Sequence, residues 1–534
     1  MSLDISRFWK TQSFVLLISL VSGILMGVTV APVNAFFFAW LAFAPFWVLV
    51  TQNRTHNRTW LIAFCWGIGY YGFTLAWITG IHPMTWMGVP WVASLAIAVF
   101  CLTFITMWGT ALAITWSIIF RWIATKKLVT DNGFIRVLIG TALWCTLEAI
   151  WSSGPLWWST LAYTQSPHNL VILHLGQISG TTTVTATIVA VNGLIAESWI
   201  KLRNKQSRNN QVNQTNQTNQ TNHKILALSA FLLFTTSHLL GFWLYGIPLN
   251  DSPSSALKVG IIQGNVPNKI KLKPEGFRRA IAGYTEGYLD LVNQGVEAVL
   301  TPEGALPFYE DEIVKSSLVA AVKDKGITAW IGGFGSRKDK STYTNSLFTF
   351  TADGEIFSRY DKAKLVPLGE YVPFRNIIGG LVRRLSPLDE HQVPGSQEQI
   401  FNTPFGKAIA VICYGSAFPE LFRYQAAAGG EFILSSANNS HYSESMPAQH
   451  HAQDIMRAIE TDRWAVRATN TGYSSIVDPH GKTLWLSGID IYQIHADTVY
   501  RRQTQTLYVR WGDWLTPVLL FLAGLSWFLE TRRV

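Results

Sequence analysis

Long apolar runs alternate with short polar gaps over the first 250 residues, and then the pattern changes. Seven runs, near 13–31, 35–50, 60–78, 89–120, 134–151, 170–200 and 225–246, precede that change, and an eighth lies at 514–529. Several approach the ~20 residues that cross a bilayer as a helix. The second is short and the fourth and sixth are over-long, which predicts tilt or interfacial ends. A cleaved signal peptide is not expected, because six more apolar runs follow the first. Between 251 and 513 the runs shorten and take on strand character: LKVGIIQGNV (257–266), EAVLTPE (297–303), ITAWIGGFG (327–335), SLFTFTADG (346–354), KAIAVICYG (407–415) and EFILSSANNS (431–440). Helical patterns at 275–294, 312–325 and 448–461 fall between them. Strands alternating with helices predict an α/β domain, and strands that are apolar throughout predict a sheet covered on both faces. The expected division is therefore a helical membrane domain over 1–250, an α/β domain over 251–513 and a closing membrane helix over 514–534.

Charge sharpens this picture. Up to residue 250 there are four acids, Asp4, Asp131, Glu148 and Glu197, against thirteen lysines and arginines; beyond it there are 29 of each sign. The net +9 is thus a property of the apolar half alone. A nucleic-acid binder would gather its charge on a folded face, whereas here the cations sit in gaps between apolar runs, so no nucleic-acid partner is expected. Arg7, Lys10, Arg54, Arg58, Arg121, Lys126, Lys127, Arg136, Lys201, Arg203, Lys205, Arg208, Lys224, Arg532 and Arg533 occupy one alternating set of gaps and ends. The other set, 32–34, 80–88 and 152–169, contains no lysine or arginine. The positive-inside rule then places both termini in the cytoplasm and 251–513 outside it, as in a multi-pass membrane protein. The repeat NQTNQTNQTN (213–222) reads as a disordered polar linker on the cytoplasmic side. Glu148, inside an apolar run, is costly to bury and marks a functional group or a helix-pairing contact.

Three positions in the α/β half carry reactive groups near strand ends. Glu303 closes EAVLTPE, Lys362 follows a hairpin-like run in SRYDKAKLVPLGEYVP (358–373), and Cys413 lies near the end of KAIAVICYG. Cys413 is the only cysteine after Cys145; Cys65, Cys101 and Cys145 all lie within apolar runs. Functional groups of α/β sheets gather where strands finish. A glutamate can take a thiol proton, and a neighbouring lysine can favour a thiolate and a developing oxyanion. Taken one at a time, Glu303 reads equally as a surface carboxylate, Lys362 as a solvated cation and Cys413 as a small buried hydrophobe. The histidines His441, His450 and His451 lack zinc-ligand spacing, and the glycines of IGGFGSRK (331–338) lack the lysine of a phosphate loop. No metal or cofactor is expected.

Six strings occur in order: GPLWWSTLAYTQS (154–166), IIQGNVP (261–267), TPEGALPF (301–308), YDKAKLVPLGEYVPF (360–374), ICYGSAFPE (412–420) and RATNTGYSSIVDPHGK (467–482). With the order Glu, Lys, Cys they resemble the nitrilase superfamily, and over nearly the full length the apolipoprotein N-acyltransferase family. The resemblance implies an α-β-β-α sandwich beside a polytopic helical membrane domain. It implies Glu303 as general base, Lys362 as oxyanion stabiliser and Cys413 as nucleophile, with Glu370 and Tyr414 in support. The implied reaction moves an acyl chain from a phospholipid, through a cysteine thioester, to the α-amino group of a diacylglyceryl-cysteine apolipoprotein. The implied partners are those two lipids and the bilayer, with the chain a monomer.

The chain departs from the family pattern in places. Gly415 stands where the family has glutamate, Leu272 where some members have tryptophan, and His441 and Tyr442 where a Trp-Phe pair is common. Trp151 takes the place of an arginine three residues after Glu148. Glu420 and Glu444 are candidates to replace the missing carboxylate at 415. Two alternatives follow: a membrane-bound lipid hydrolase with the same fold, and a catalytically impaired relative that binds lipoproteins.

Overall fold

A computed structural model describes residues 12–52, 58–125, 132–209, 222–337, 342–367, 369–371, 391–440 and 442–532. Arg7, Lys10, Arg54, Lys126, Lys127, Arg533, His441 and the linker repeat over 213–221 lie outside the described residues. Two compact units are present. One comprises residues up to Ala76, Val99–Ile247 and 513 onward; the other comprises Trp77–Ala98 and Pro248–Gly512.

The first unit is helical. Trp91–Ala124 (α1), which belongs to this unit from Val99 onward, Gly133–Ser153 (α2), Thr181–Asn209 (α3) and His223–Tyr245 (α4) contain stretches long and apolar enough to cross a membrane. Shorter apolar helices occupy Gln12–Gly27, Phe36–Gln52, Leu170–Ser179 and Leu515–Glu530. The apolar run 170–200 is not one helix. Gly180, with φ +68° and ψ −157°, breaks it ahead of α3, in a conformation open to glycine and strained for any residue with a Cβ. The interior is unusually aromatic: Trp47, Trp66, Trp116 and Trp144 are fully buried around Phe43, whose ring meets those of Trp66, Trp116 and Trp144 edge-on.

Glu148 of α2 is a helix-pairing group. Its carboxylate accepts from Trp144 Nε1 (3.1 Å), Thr160 Oγ1 (2.5 Å), the Leu161 amide (3.0 Å) and Thr185 Oγ1 of α3 (3.0 Å). One acid thus satisfies four donors from three segments where water is scarce. Arg136 of α2 and Glu197 of α3 form a second buried contact, with Arg136 Nε 2.9 Å from Glu197 Oε1.

The second unit is the α-β-β-α sandwich. Ala256–Gln263 (β1), Ala298–Leu300 (β2), Thr328–Ser336 (β3), Thr342–Phe350 (β4), Ile356–Asp361 (β5), His391–Gln392 (β6) and Gln493–Tyr500 (β13) form one sheet, in the order β13-β1-β2-β3-β4-β5 with β6 beside β4. Phe401–Thr403 (β7), Gly406–Ile412 (β8), Phe432–Ala437 (β9), Ala465–Thr469 (β10), Ser475–Val477 (β11) and Thr483–Leu486 (β12) form the other, in the order β12-β11-β10-β9-β8-β7. Each sheet has a parallel centre, β1-β2-β3 and β8-β9-β10, flanked by antiparallel strands. Side chains of both sheets fill the layer between them: Val259, Ile261, Leu300 and Trp330 from one, Ala410, Ile412, Leu434 and Val466 from the other. On the outer face of the first sheet, Ile262, Val299, Ala329 and Phe348 bury against Pro274–Asn293 (α6) and Ser317–Lys325 (α7). Pro419–Ala427 (α8) and Ser445–Thr461 (α9) lie on the second-sheet side. Because every central strand is covered twice, alternation disappears from its sequence.

Residues 77–98 group with the sandwich. Trp77 Nε1 donates to Gln449 Oε1 at 3.1 Å, and its ring meets that of Tyr442 edge-on.

Replacing Glu148 by Ala would strand several buried donors at once. We expect it to lower the stability of the detergent-solubilised protein by ~2 kcal/mol or more, with Glu148→Gln losing less; thermal unfolding of the two variants checks this.

Candidate active site

The carboxyl-terminal ends of β2 and β8 and the end of β5 bring the three reactive groups together. β2 stops at Leu300, and Thr301-Pro302 carries the chain on to Glu303; β8 stops at Ile412 and Cys413 follows; β5 stops at Asp361 and Lys362 follows. The backbone is held tightly here. Lys362 N donates to the Asn345 carbonyl of β4 (2.8 Å), and Ser436 Oγ of β9 reaches across the sandwich to the Thr301 carbonyl (3.1 Å). Glu303, Lys362 and Cys413 are 6%, 1% and 9% exposed. The readings of Glu303 as a surface carboxylate and Lys362 as a solvated cation are therefore excluded.

Lys362 Nζ lies 2.8 Å from Glu303 Oε1 and 2.5 Å from Glu370 Oε1. Asn345 Nδ2 donates to the same Glu303 oxygen at 2.7 Å, and the Val366 amide donates to Glu370 Oε2 at 2.8 Å. The Cys413 thiol lies near enough to the Glu303 carboxylate for each to act on the other's ionisation. Burial alone would raise the Glu303 carboxyl, but the Lys362 ammonium, its hydrogen bond and the charge of Lys271 outweigh it and hold the group below the usual carboxylate range. Burial works against the Lys362 charge too, yet Glu303 and Glu370 keep that group well above an ordinary lysine. The Cys413 thiol is pushed up to about 12 by burial and by the Glu303 carboxylate, with Lys362 acting in the opposite direction. The resting site is a neutral thiol near an ionised carboxylate that an ammonium pins in place.

Cys413 has φ +49°, a left-handed conformation that costs a residue with a side chain about 1 kcal/mol. A buried relay supports it. His450 Nε2 donates to the Cys413 carbonyl at 2.9 Å, while His450 Nδ1 lies 2.7 Å from Arg467 Nη2. A guanidinium can only donate, so Nδ1 accepts and the proton sits on Nε2. Burial and the Arg467 charge keep His450 neutral by lowering it well below an ordinary histidine. Arg467 in turn is ion-paired to Asp454, one helical turn along α9 from His450.

The remaining positions are also placed. Tyr414 packs its ring edge-on against Phe418, and Leu272, 41% exposed, follows the short helix Asn268–Lys271 (α5). Gly415 is buried within the 3-10 turn Cys413–Ala417. A Cβ there would fall 2.5 Å from Val411 Cγ2 and 3.6 Å from Leu421 Cδ1. Glu420 Oε1 is 3.6 Å from Lys364 Nζ, and Glu444 accepts from the Tyr473 hydroxyl at 2.9 Å, so both candidate substitutes for the missing carboxylate have partners of their own.

Residues 258–501 match the carbon-nitrogen hydrolase family, and residues 22–194 match the apolipoprotein N-acyltransferase N-terminal domain. Apolipoprotein N-acyltransferase of Nostoc sp. is 60% identical over 509 residues, covering 95% of this chain and 97% of that protein. The chain belongs to the apolipoprotein N-acyltransferase family. The protein of the same name from Synechocystis sp. is 48% identical, covering 95% of this chain and 98% of its own length. Among solved structures, an amidase from Nesterenkonia sp. is similar at 18% identity and a TM-score of 0.36, with 49% of this chain and 95% of that one covered.

Several residues at the site carry no signal in an N-acyltransferase sequence read alone. Asn345 sits mid-strand in β4, and Lys271 Nζ reaches the Glu303 carbonyl (3.0 Å) from a separate segment. His450 carries a faint signal: four residues ahead of Asp454, it shares a helix face with it.

Two outcomes follow. Glu303→Gln removes a charge that raises the Cys413 thiol, so its iodoacetamide alkylation should reach half-maximal rate at lower pH than in the parent chain, even as acyl-thioester formation falls at least about a hundredfold. Gly415→Glu must place its Cβ against Val411; it should cost about 1–3 kcal/mol of stability, and trimming Val411 to Ala in the same chain should recover part of that loss in thermal melts.

Proposed function

We propose that this chain transfers an acyl chain from a phospholipid to the α-amino group of the N-terminal diacylglyceryl-cysteine of an apolipoprotein. The observation that carries the reading is the convergence of buried Cys413, Glu303 and Lys362 at three strand ends, with Lys362 Nζ 2.8 Å from Glu303 Oε1. In the first half-reaction Glu303 takes the thiol proton as Sγ attacks the ester carbonyl, and Lys362 stabilises the oxyanion. Collapse breaks the ester C–O bond, the proton passes from Glu303 to the leaving oxygen, and a lysophospholipid departs. In the second, the α-amino group attacks the thioester carbonyl and loses a proton to Glu303. The amide forms, and the thiolate leaves and is reprotonated.

Glu370 serves as a positioning group, since it shares the Lys362 ammonium and keeps it charged beside Glu303. Tyr414, packed on Phe418, steadies the turn that bears the nucleophile. The eight apolar segments and their charge asymmetry support an inner-membrane chain of seven spans and one closing span, with the sandwich on the outer side. Such a location keeps both lipid substrates at the surface from which they are drawn.

The test is acyl-enzyme formation. Incubated with phospholipid alone, the parent chain should accumulate a hydroxylamine-sensitive thioester that discharges when a diacylglyceryl lipopeptide is added, and Cys413→Ala should form none. Free fatty acid released at one rate with and without lipopeptide would overturn the reading in favour of hydrolysis.

A further inference from the structure

Lys271 is a second ammonium at the site, and it lacks what Lys362 has. Lys362 Nζ is shared by two carboxylates at 2.8 and 2.5 Å. Lys271 Nζ, at the end of α5, makes a single hydrogen bond among the described residues, to the backbone carbonyl of Glu303 at 3.0 Å, and no ion pair. Two of its three N–H donors are therefore unspent. The ammonium nevertheless lies close enough for its charge to act on both Glu303 and Cys413. Gly304, at φ +53°, leaves the approach open: a Cβ at that position would stand 3.5 Å from Lys271 Nζ. Burial lowers Lys271 to about 8, against the pull of Glu303 and Cys413, so most of it remains protonated at neutral pH.

A half-buried cation with no ion pair among the described residues, hydrogen-bonded to the backbone of the general base, is suited to an anion that arrives with the substrate. In a glycerophospholipid the phosphodiester is joined to the acyl esters through the glycerol carbons alone. An ester held at Cys413 Sγ thus carries its phosphate within a few bonds of the reacting carbonyl. Lys271 Nζ meets the Glu303 backbone carbonyl while Lys362 Nζ meets the Glu303 carboxylate, so the two ammonium groups have separate contacts and Lys271 can hold that phosphate while Lys362 receives the oxyanion.

We propose that Lys271 binds the phosphodiester of the acyl donor while Cys413 attacks its ester. The proposal rests on the reading that the donor is a phospholipid ester. Remote binding energy of this kind orients the reacting bond.

The experiment compares two donors in detergent micelles, phosphatidylglycerol and the phosphate-free ester p-nitrophenyl palmitate, by kcat/KM for thioester formation on Cys413. Lys271→Met should reduce the phosphatidylglycerol to p-nitrophenyl ester ratio by roughly tenfold or more, the scale of one lost hydrogen bond to a charged group. Lys271→Arg should keep most of the ratio. Lys273→Met, which removes an exposed charge two residues along, should move it less than twofold. Equal losses with both donors, or an equal fall in Lys273→Met, would overturn the proposal, as would inorganic phosphate inhibiting both donors alike, which marks a free-phosphate site. No thioester from either donor in the parent chain would instead sink the acyl-transfer reading itself.

Discussion

The Lys362 ammonium is the charge on which the site depends. A buried carboxylate, a partly buried one and a buried thiol lie around it, and the ammonium holds Glu303 low against its own burial, whereas burial keeps Glu370 raised. Desolvating an ion costs several kcal/mol, and only close, well-aligned partners offset that cost. The fold supplies them by ending β2, β5 and β8 beside one another, so that each backbone delivers one member of the set with little freedom. Asn345 then fixes the shared Glu303 oxygen, and the Lys362 amide is tied to the Asn345 carbonyl, which makes β4 the brace for both.

The same electrostatics set the state of the thiol. Burial and Glu303 raise it to about 12, while Glu303 is held low by Lys362 against its own burial. Proton transfer in the resting site is therefore unfavourable, and the thiol stays neutral. In the proposed reaction the thiolate need not exist beforehand: charge passes from sulfur to the ester oxygen as the new bond forms, and Lys362 is already in place to receive it. A neutral resting thiol also resists oxidation, since the thiolate is the reactive form.

Much of this was legible in the residues, and the reasons are local. Strand ends are punctuated by Pro, Gly and charge, so Glu303, Lys362 and Cys413 stood out as the reactive groups at those ends. The apolar runs announced helices, but not where they break: Gly180 divides one run through a backbone conformation, and 36–52 contains a 3-10 turn, Phe36–Trp40, ahead of Phe43–Gln52. What the chain could not disclose are contacts made only in three dimensions. Asn345, Lys271 and the His450–Arg467–Asp454 relay come from segments scattered from 271 to 467, and beyond the i,i+4 spacing of His450 and Asp454 nothing in their immediate sequence distinguishes them from ordinary strand or helix residues. The attachment of 77–98 to the sandwich is of the same kind, since it depends on Trp77 meeting Gln449 and Tyr442.

Gly415 shows how packing and electrostatics constrain one another at this site. The turn that follows β8 must hold Cys413 at positive φ and still return the chain into α8 under Leu421. With Val411 close beneath, that turn has room for a hydrogen at 415 and not for a side chain. A glutamate at 415 would therefore require a different neighbour below it, so the glycine is a matter of packing as much as of charge. Since Lys362 already has two carboxylates, a third acid would have to find its own cation or raise the thiol further. Lys364 is the nearest alternative along the chain, and it is occupied: it sits over the Phe418 ring at 4.5 Å and faces Glu420. The turn is thus contacted at Phe418 by Lys364 and at the Cys413 carbonyl by His450, and those two contacts hold the nucleophile in place.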